Sequence, residues 1–447
     1  MELIDPAVFA TGKAPFVVSD HHLVSSNVTE SEYTEFSVTE SVSVGDRRQV
    51  TSVTNTVTLS IATPCVVSWV NHLLVDDTAV QFTTTGALPT GIVADQVYYV
   101  VDSDFDTFKL ALEPGGTPIN TGGSQSGTHT AIATVHSVYE AKLESAQATA
   151  TVSGTVMSVT GVASGVLAVG MIVSGSGIVA GTRIVSFGNG SGGTGTYIVS
   201  ISQGSGATIF CRAPYTDKEH WSRVGATNRW RMHDSKVTTQ TSNLDSIANT
   251  YTLKTVTDSI AFFKINAVTV RVKVTENAGS TVVYDTTKTT EAHSAITGKT
   301  ERSDSVLFND LPSAYSDVDI EITLTAIGET VFCGSCVMGK LLSYGDTEYG
   351  LKLDMQDFSV KDRDDFGNYD ILERDFSKTI QLITIVQNSD LAVLFVKLTG
   401  FRAKPIVYIG AGTISLTMVF GFFADFSIEI PYENESLVSI EIEGLTE

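Results

Sequence analysis

Apolar and polar residues alternate with period two through much of the chain. Val268, Val270, Val272 and Val274 are separated by Thr269, Arg271 and Lys273, and Ile320, Ile322 and Leu324 by Glu321 and Thr323. Successive side chains of a strand point to opposite faces, so this spacing puts the aliphatic set on one face and the charged set on the other. With Ile260-Ala261-Phe262-Phe263 and Val282-Val283-Tyr284, it predicts a β-sandwich of jelly-roll or immunoglobulin-like kind over residues 235–345. Shorter runs occur at Val66-Val67-Ser68-Trp69, Ala79-Val80-Gln81-Phe82, Val97-Tyr98-Tyr99-Val100 and Thr107-Phe108-Lys109-Leu110. Gly, Pro and Asp turns bound each of them and predict a compact antiparallel unit. The period changes once, where Leu391, Leu394, Phe395 and Leu398 share a helical face, with Ser389 placed to cap its start, Asp390 suited to its positive end and Gly400 ending it. The expected fold class is mostly β, multidomain, with antiparallel sandwiches or small barrels and one short helix in the C-terminal domain.

At 447 residues, with 37 Gly and only 10 Pro, the chain is long enough for two to four domains with their own cores. A net charge of −22 and the lack of a dense Lys/Arg patch exclude nucleic acid as an expected partner. The longest apolar run, 406–423, is broken by Gly410, Gly412 and Gly421 and alternates as strands do, so no transmembrane segment is expected. The first residues carry no basic stretch followed by an apolar core, and no secretory signal is expected. Cys65, Cys211, Cys333 and Cys336 contain one Cys-x-x-Cys pair without His at zinc spacing, which reads as small buried thiols.

Two Gly/Ser/Thr-rich cassettes, residues 56–134 and 148–211, interrupt a small aromatic frame. The frame comprises residues 31–55, 135–147 and 212–234, with Tyr33 and Val44-Gly45-Asp46-Arg47, then Val138-Tyr139-Glu140-Ala141, then Trp221. That order resembles the short carbohydrate-binding module of chitinases and many phage tail proteins. Leu143-Glu144-Ser145 stand where that module carries a pair of Trp, leaving Tyr33, Tyr139, Trp221 and Trp230 as candidate glycan-binding rings. The first cassette, with Thr85-Gly86-Ala87-Leu88-Pro89-Thr90-Gly91 and Gly123-Ser124-Gln125-Ser126-Gly127, is similar to a repeat of tailed-phage structural proteins. The second, with Val152-Ser153-Gly154-Thr155 and Gly192-Gly193-Thr194-Gly195-Thr196-Tyr197, is similar to a mobile phage domain. Asn228-Arg229-Trp230-Arg231-Met232-His233-Asp234, Asp357-Phe358-Ser359, Phe366-Gly367, Glu373-Arg374-Asp375-Phe376-Ser377-Lys378 and Gly421-Phe422-Phe423-Ala424-Asp425-Phe426 resemble, in order, a family of uncharacterised phage tail proteins. Residues 1–30 read either as an arm that ties subunits together or as a terminal strand laid on its own domain. A last domain is expected over 346–447.

The resemblance implies a virion structural protein of a tailed bacteriophage, made in the host cytoplasm and placed in the tail tip, baseplate or fibre-attachment region. Its implied partners are copies of itself, other phage tail proteins and host cell-surface glycan. A glycan receptor-binding protein and a capsid or tail-tube decoration protein are the alternatives.

Candidate chemistry is sparse. Asp362, Asp364, Asp370 and Glu373, with Gly367, fall at positions one, three, nine, twelve and six of a calcium loop, although Phe366 occupies position five. They are the candidate metal ligands, against a solvated turn with Arg363 and Arg374 as counter-charges. Gly188, Gly190 and Gly193 fit Gly-x-Gly-x-x-Gly, but a strand-like Tyr197-Ile198-Val199 follows where a phosphate-binding helix would start. No nucleophile elbow, paired-His metalloprotease phrase or phosphate loop is present, so no enzyme activity and no cofactor are expected.

Overall fold

The computed structural model describes residues 1–6, 21–37, 42–70, 72, 74–104, 106–112, 115–213, 220–234, 236–253, 256–277, 280–363, 366, 368–402, 405–411 and 415–446. With 59% strand and 5% helix, the protein is mostly β, as the period-two alternation predicts. Two compact units form, one from the described residues up to Thr29 together with those from Asn228 onward, the other from those of Glu30–Thr227.

In the Glu30–Thr227 unit, the strands Arg47–Leu59, Val66–Ser68, Thr107–Ala111, Tyr98–Val101, Ala79–Thr84 and His129–Ala141 close into a six-stranded barrel. Closure comes from His129–Ala141, which pairs with Arg47–Leu59 on one side and with Ala79–Thr84 on the other. A closed barrel leaves no open edge, and its interior is filled by Val57, Phe82, Tyr98, Val100, Phe108, Leu110, Ala131 and Ala133. The sequence boundaries at 55/56 and 134/135 fall inside two of these strands, whose far ends leave the barrel and pair as Arg47↔Glu140 and Gln49↔Val138. The strand Trp221–Ala226 adds to the same end through Trp221↔Ala141. Beyond it, Ala146–Ser164 and Gly195–Arg212 pair over most of their length, joined by Ile172–Gly175 and Ile184–Phe187. Ala146, Ala148, Ala150 and Val152 face one core shared with Val42, Ala141 and Trp221. The second cassette and the aromatic frame therefore share their apolar interior.

In the other unit, a 26-residue strand, Val318–Ser343, is the spine. Its first half lies between Thr241–Leu253 and Thr269–Glu276; its second half pairs with Ser259–Ile265 and then Glu2–Pro6. The break is at Gly328, in the left-handed region at φ +81, opposite Asp245 at φ +65. The Asp245 carboxylate accepts the Gly328 amide at 2.7 Å. Residues on both halves, Ile320, Ile322 and Leu324 and then Cys333, Cys336 and Met338, line one core with Ile260, Phe262 and Phe308, which makes a β-sandwich whose two layers share a strand. Around residues 331–338 the spine is apolar at almost every position because both its faces are covered. Val337 faces a second core with Ile4, Phe263, Val407 and Phe420, in which Phe263 and Phe420 stack at 5.7 Å.

The N-terminal residues resolve into strands of their own unit. Glu2–Pro6 lies between the spine and Ile406–Ile409, and His21–Ser26 pairs with Thr241–Leu253. Phe16-Val17-Val18, an apolar run that predicts a short strand, lies outside the described residues. Helix α1, Leu391–Gly400, forms where the spacing changes, with Leu394 and Leu398 buried. Two details differ from expectation. Asp390 is the N-cap and makes no side-chain capping bond, while Ser389 Oγ lies 3.4 Å from Asp390 Oδ1 instead of capping the helix. Phe395 is exposed and meets Phe426 in a T-shaped contact at 5.8 Å.

Gly328→Ala is expected to lower stability by about 1–2 kcal/mol, the cost of holding an L-residue in the left-handed region. An unchanged midpoint in denaturant unfolding followed by circular dichroism would show that the spine bends without needing that conformation.

Candidate functional site

The three sequence pieces of the aromatic frame meet at the end of the barrel. Gly45, at φ +89, turns the chain so that its amide donates to the Ala141 carbonyl at 2.8 Å, while the Ala141 amide donates to Asp46 O at 2.9 Å. The Asp46 carboxylate closes the turn by accepting the Ser43 amide at 3.0 Å. Arg47 Nε donates to Glu140 at 2.9 Å, and a hydrogen bond with Tyr33 followed by that with Glu140 raises the Arg47 pKa. The Val-Gly-Asp-Arg and Tyr-Glu-Ala phrases are thus consumed in holding two strands together.

The rings expected to meet sugar are placed differently. Trp221 is 2% exposed; its indole donates to Ala213 O at 2.9 Å and meets Phe36 edge-on at 5.3 Å. The buried Arg212 guanidinium lies 4.8 Å from the Phe36 ring centre and 5.4 Å from that of Trp221, a cation–π arrangement inside the core. Tyr139 is half-buried against the same core, and burial raises its pKa against the opposing charge of Arg223. Tyr33 is half-exposed. Trp230, 7% exposed, belongs to the other unit. A ring packed on both faces offers nothing to a pyranose, so Trp221 and Trp230 are corrected from candidate platforms to core residues.

The segment around Trp230 is a 3-10 helix, Asn228–His233, pinned by its own side chains. The Asn228 side chain binds both the amide and the carbonyl of Ser242, at 2.9 and 2.8 Å. Arg229 donates to Val28 O at 3.0 Å, and the Asp234 carboxylate accepts the Lys236 amide and the Thr239 hydroxyl, at 3.0 and 2.7 Å. His233 contacts Cys336 O at 3.2 Å and the Tyr251 hydroxyl at 2.7 Å. Burial pushes its pKa down to about 4.

The candidate metal loop is a β-hairpin. Val360–Arg363 pairs with Tyr369–Leu372, placing Asp362 directly opposite Asp370; Asp364 lies outside the described residues, and Glu373 is exposed beyond the strand end. Among the described residues no three His, Cys, Asp or Glu converge as metal ligands. Arg363 faces Tyr369, with its guanidinium 4.6 Å from the ring centre and 2.8 Å from the hydroxyl. At the hairpin's end the Arg374 backbone amide donates to Ser359 Oγ at 3.0 Å.

The glycine-rich loop at 188–193 wraps a tyrosine. The Tyr197 hydroxyl accepts the Gly192 amide at 2.9 Å and donates to Gly193 O at 2.6 Å, and a Cβ at Gly190 would lie 2.7 Å from the ring. A strand, Gly195–Arg212, follows, so no helix N-terminus is available for phosphate. All four cysteines are buried thiols with raised pKa, that of Cys211 pushed up to about 12, and stay protonated at neutral pH.

Among the described residues the most exposed rings lie elsewhere, at Tyr349, Phe366, Tyr369 and Tyr432. The signal for the first three was aromatic residues embedded in the densest acidic stretch of the chain. No helix among the described residues is long and apolar enough to cross a membrane. Compared with protein-family models, curated proteins and solved structures, the chain matches none.

Because Trp69, Trp221 and Trp230 are all buried, native tryptophan emission should be blue-shifted and insensitive to iodide until unfolding; strong quenching of the folded protein would place a Trp at the surface. His233 is neutral in the folded state and titrates near 6.5 when unfolded. The unfolded chain therefore binds more protons as pH falls, and stability present above pH 6.5 is lost down to about pH 4, by about 3 kcal/mol. His233→Gln should flatten the pH dependence of the thermal midpoint between those limits, and equal slopes in both proteins would remove His233 as its source.

Proposed function

We propose that this chain is a structural component of a tailed-bacteriophage virion, in the tail tip, baseplate or fibre-attachment region. It assembles with copies of itself and neighbouring tail proteins and contributes to host adsorption. The observation that carries the reading is where the aromatic side chains sit. Trp221 is packed into a core, Tyr139 is half-buried against it and Arg47 is bonded to Glu140 on the neighbouring strand, so the frame serves as the joint between the barrel and the second sheet. A scaffold buries its rings; a lectin exposes them. The order of phage-like phrases along the sequence supports the same assignment, and the reading calls for no catalysis and no cofactor. The cassettes would decorate the particle surface.

Purified full-length protein, measured by light scattering and negative-stain imaging and applied to a glycan array, tests this. A defined oligomer without selective glycan signal is the expected outcome. Selective glycan binding by a monomer would overturn it in favour of receptor recognition.

A further inference from the structure

Three polar side chains meet inside the sandwich core of the unit that contains the C-terminal half. His233 ends the 3-10 helix, and Asn249 and Tyr251 stand two residues apart on one face of Thr241–Leu253. They are 6, 1 and 3% exposed, in a core that also holds Met232, Ile247, Cys333 and Cys336.

The bonds between them run in one direction. His233 Nδ1 lies 3.2 Å from the Cys336 carbonyl, and a carbonyl can only accept, so Nδ1 carries a proton. In the neutral imidazole Nε2 is then an acceptor, and the Tyr251 hydroxyl, 2.7 Å away, donates to it. The Tyr251 oxygen accepts in turn from Asn249 Nδ2 at 2.8 Å. Asn249 Oδ1 ends the chain without a hydrogen-bond partner. An acceptor left unused at this depth is costly.

A proton on His233 reverses the order. Both ring nitrogens become donors, so Nε2 donates to the Tyr251 oxygen and the hydroxyl proton needs a new acceptor. Turning the Asn249 carboxamide over puts Oδ1 where Nδ2 stood, and Tyr251 then donates to it. The exchange moves no main-chain atom and gives up only the weak contact of Nδ2 with Met232 Sδ, at 3.5 Å. The bond from Nδ1 to the Cys336 carbonyl is kept throughout.

The strands packed against the helix bring Tyr251 and the thiols of Cys333 and Cys336 to this cluster, and burial holds all three protonated and neutral at neutral pH. The helix itself carries Arg229, which donates to Val28 O, and Arg231; the Asp234 carboxylate that follows accepts from Lys236 and Thr239. Burial, opposed by the Cys336 carbonyl, therefore sets the acidity of His233.

We propose that His233, Tyr251 and Asn249 form a hydrogen-bond chain with two directions, reversed by a single proton on His233, which keeps the 3-10 helix docked on the spine in both charge states.

Isotopic labelling of the histidine ring nitrogens in the full chain, with His233→Gln to assign the signal, tests this by nuclear magnetic resonance. At neutral pH the ring should show a protonated Nδ1 and a bare Nε2, and on acidification it should titrate reversibly at about pH 4 while circular dichroism stays native. Asn249→Leu, close in size and unable to accept, should lower the proton affinity of His233 by about tenfold, a shift of about one pH unit. A residue that only filled space there would leave the titration where it was. An Nε2–H tautomer at neutral pH, or a titration indifferent to Asn249→Leu, would overturn the chain. Loss of the native spectrum before His233 takes up its proton would overturn the second arrangement. If Asn249→Leu does not fold, the wild-type tautomer and the reversibility of its titration decide the matter by themselves.

Discussion

The unit that holds both chain ends depends on one backbone. Val318–Ser343 is hydrogen-bonded along its length to strands from four other parts of the sequence, including Glu2–Pro6. A strand this long cannot stay flat and serve a sandwich, so it folds over at Gly328, where the Asp245 carboxylate holds the amide freed by the bend. Everything beyond the bend follows from covering both faces of residues 331–338. One face closes the sandwich, the other meets Phe420 and Val407 of the C-terminal strands.

The Glu30–Thr227 unit solves a different problem in two ways. The barrel closes on a core of its own, from Val57 to Ala133. The second sheet instead shares its core with Val42, Ala141 and Trp221 of the aromatic frame. This places Arg212 in a core beside Phe36 and Trp221. A desolvated guanidinium is tolerable there because aromatic faces recover part of the hydration it loses. The same packing removes the Trp ring from any role at the surface.

Much of the architecture was legible from local pattern. The alternation in Val268–Val274 and Ile320–Leu324 and the change of period at Leu391 each record which side of an element is dry, and sheets and helix appear there. Arg47, Glu140, Ala141 and Trp221 are adjacent in space although more than 170 residues separate the first from the last. Whether the rings carried on these pieces are exposed was not legible in the sequence. Trp carries the same letter whether it fills a core or stacks on a sugar, and only the neighbours brought by Phe36 and Arg212 decide between the two.

The sequence by itself determined the class of structure, the place of the helix and the turns that demand glycine, because these depend on residues near one another along the chain. Tertiary structure alone decided that the first residues are an inner strand of their own sheet, and that the acidic 362–373 stretch is a hairpin. It also left that hairpin and the outer face of α1 uncovered. Burial is a property of what the rest of the fold delivers to a surface, and no local pattern encodes the arrival of a distant strand.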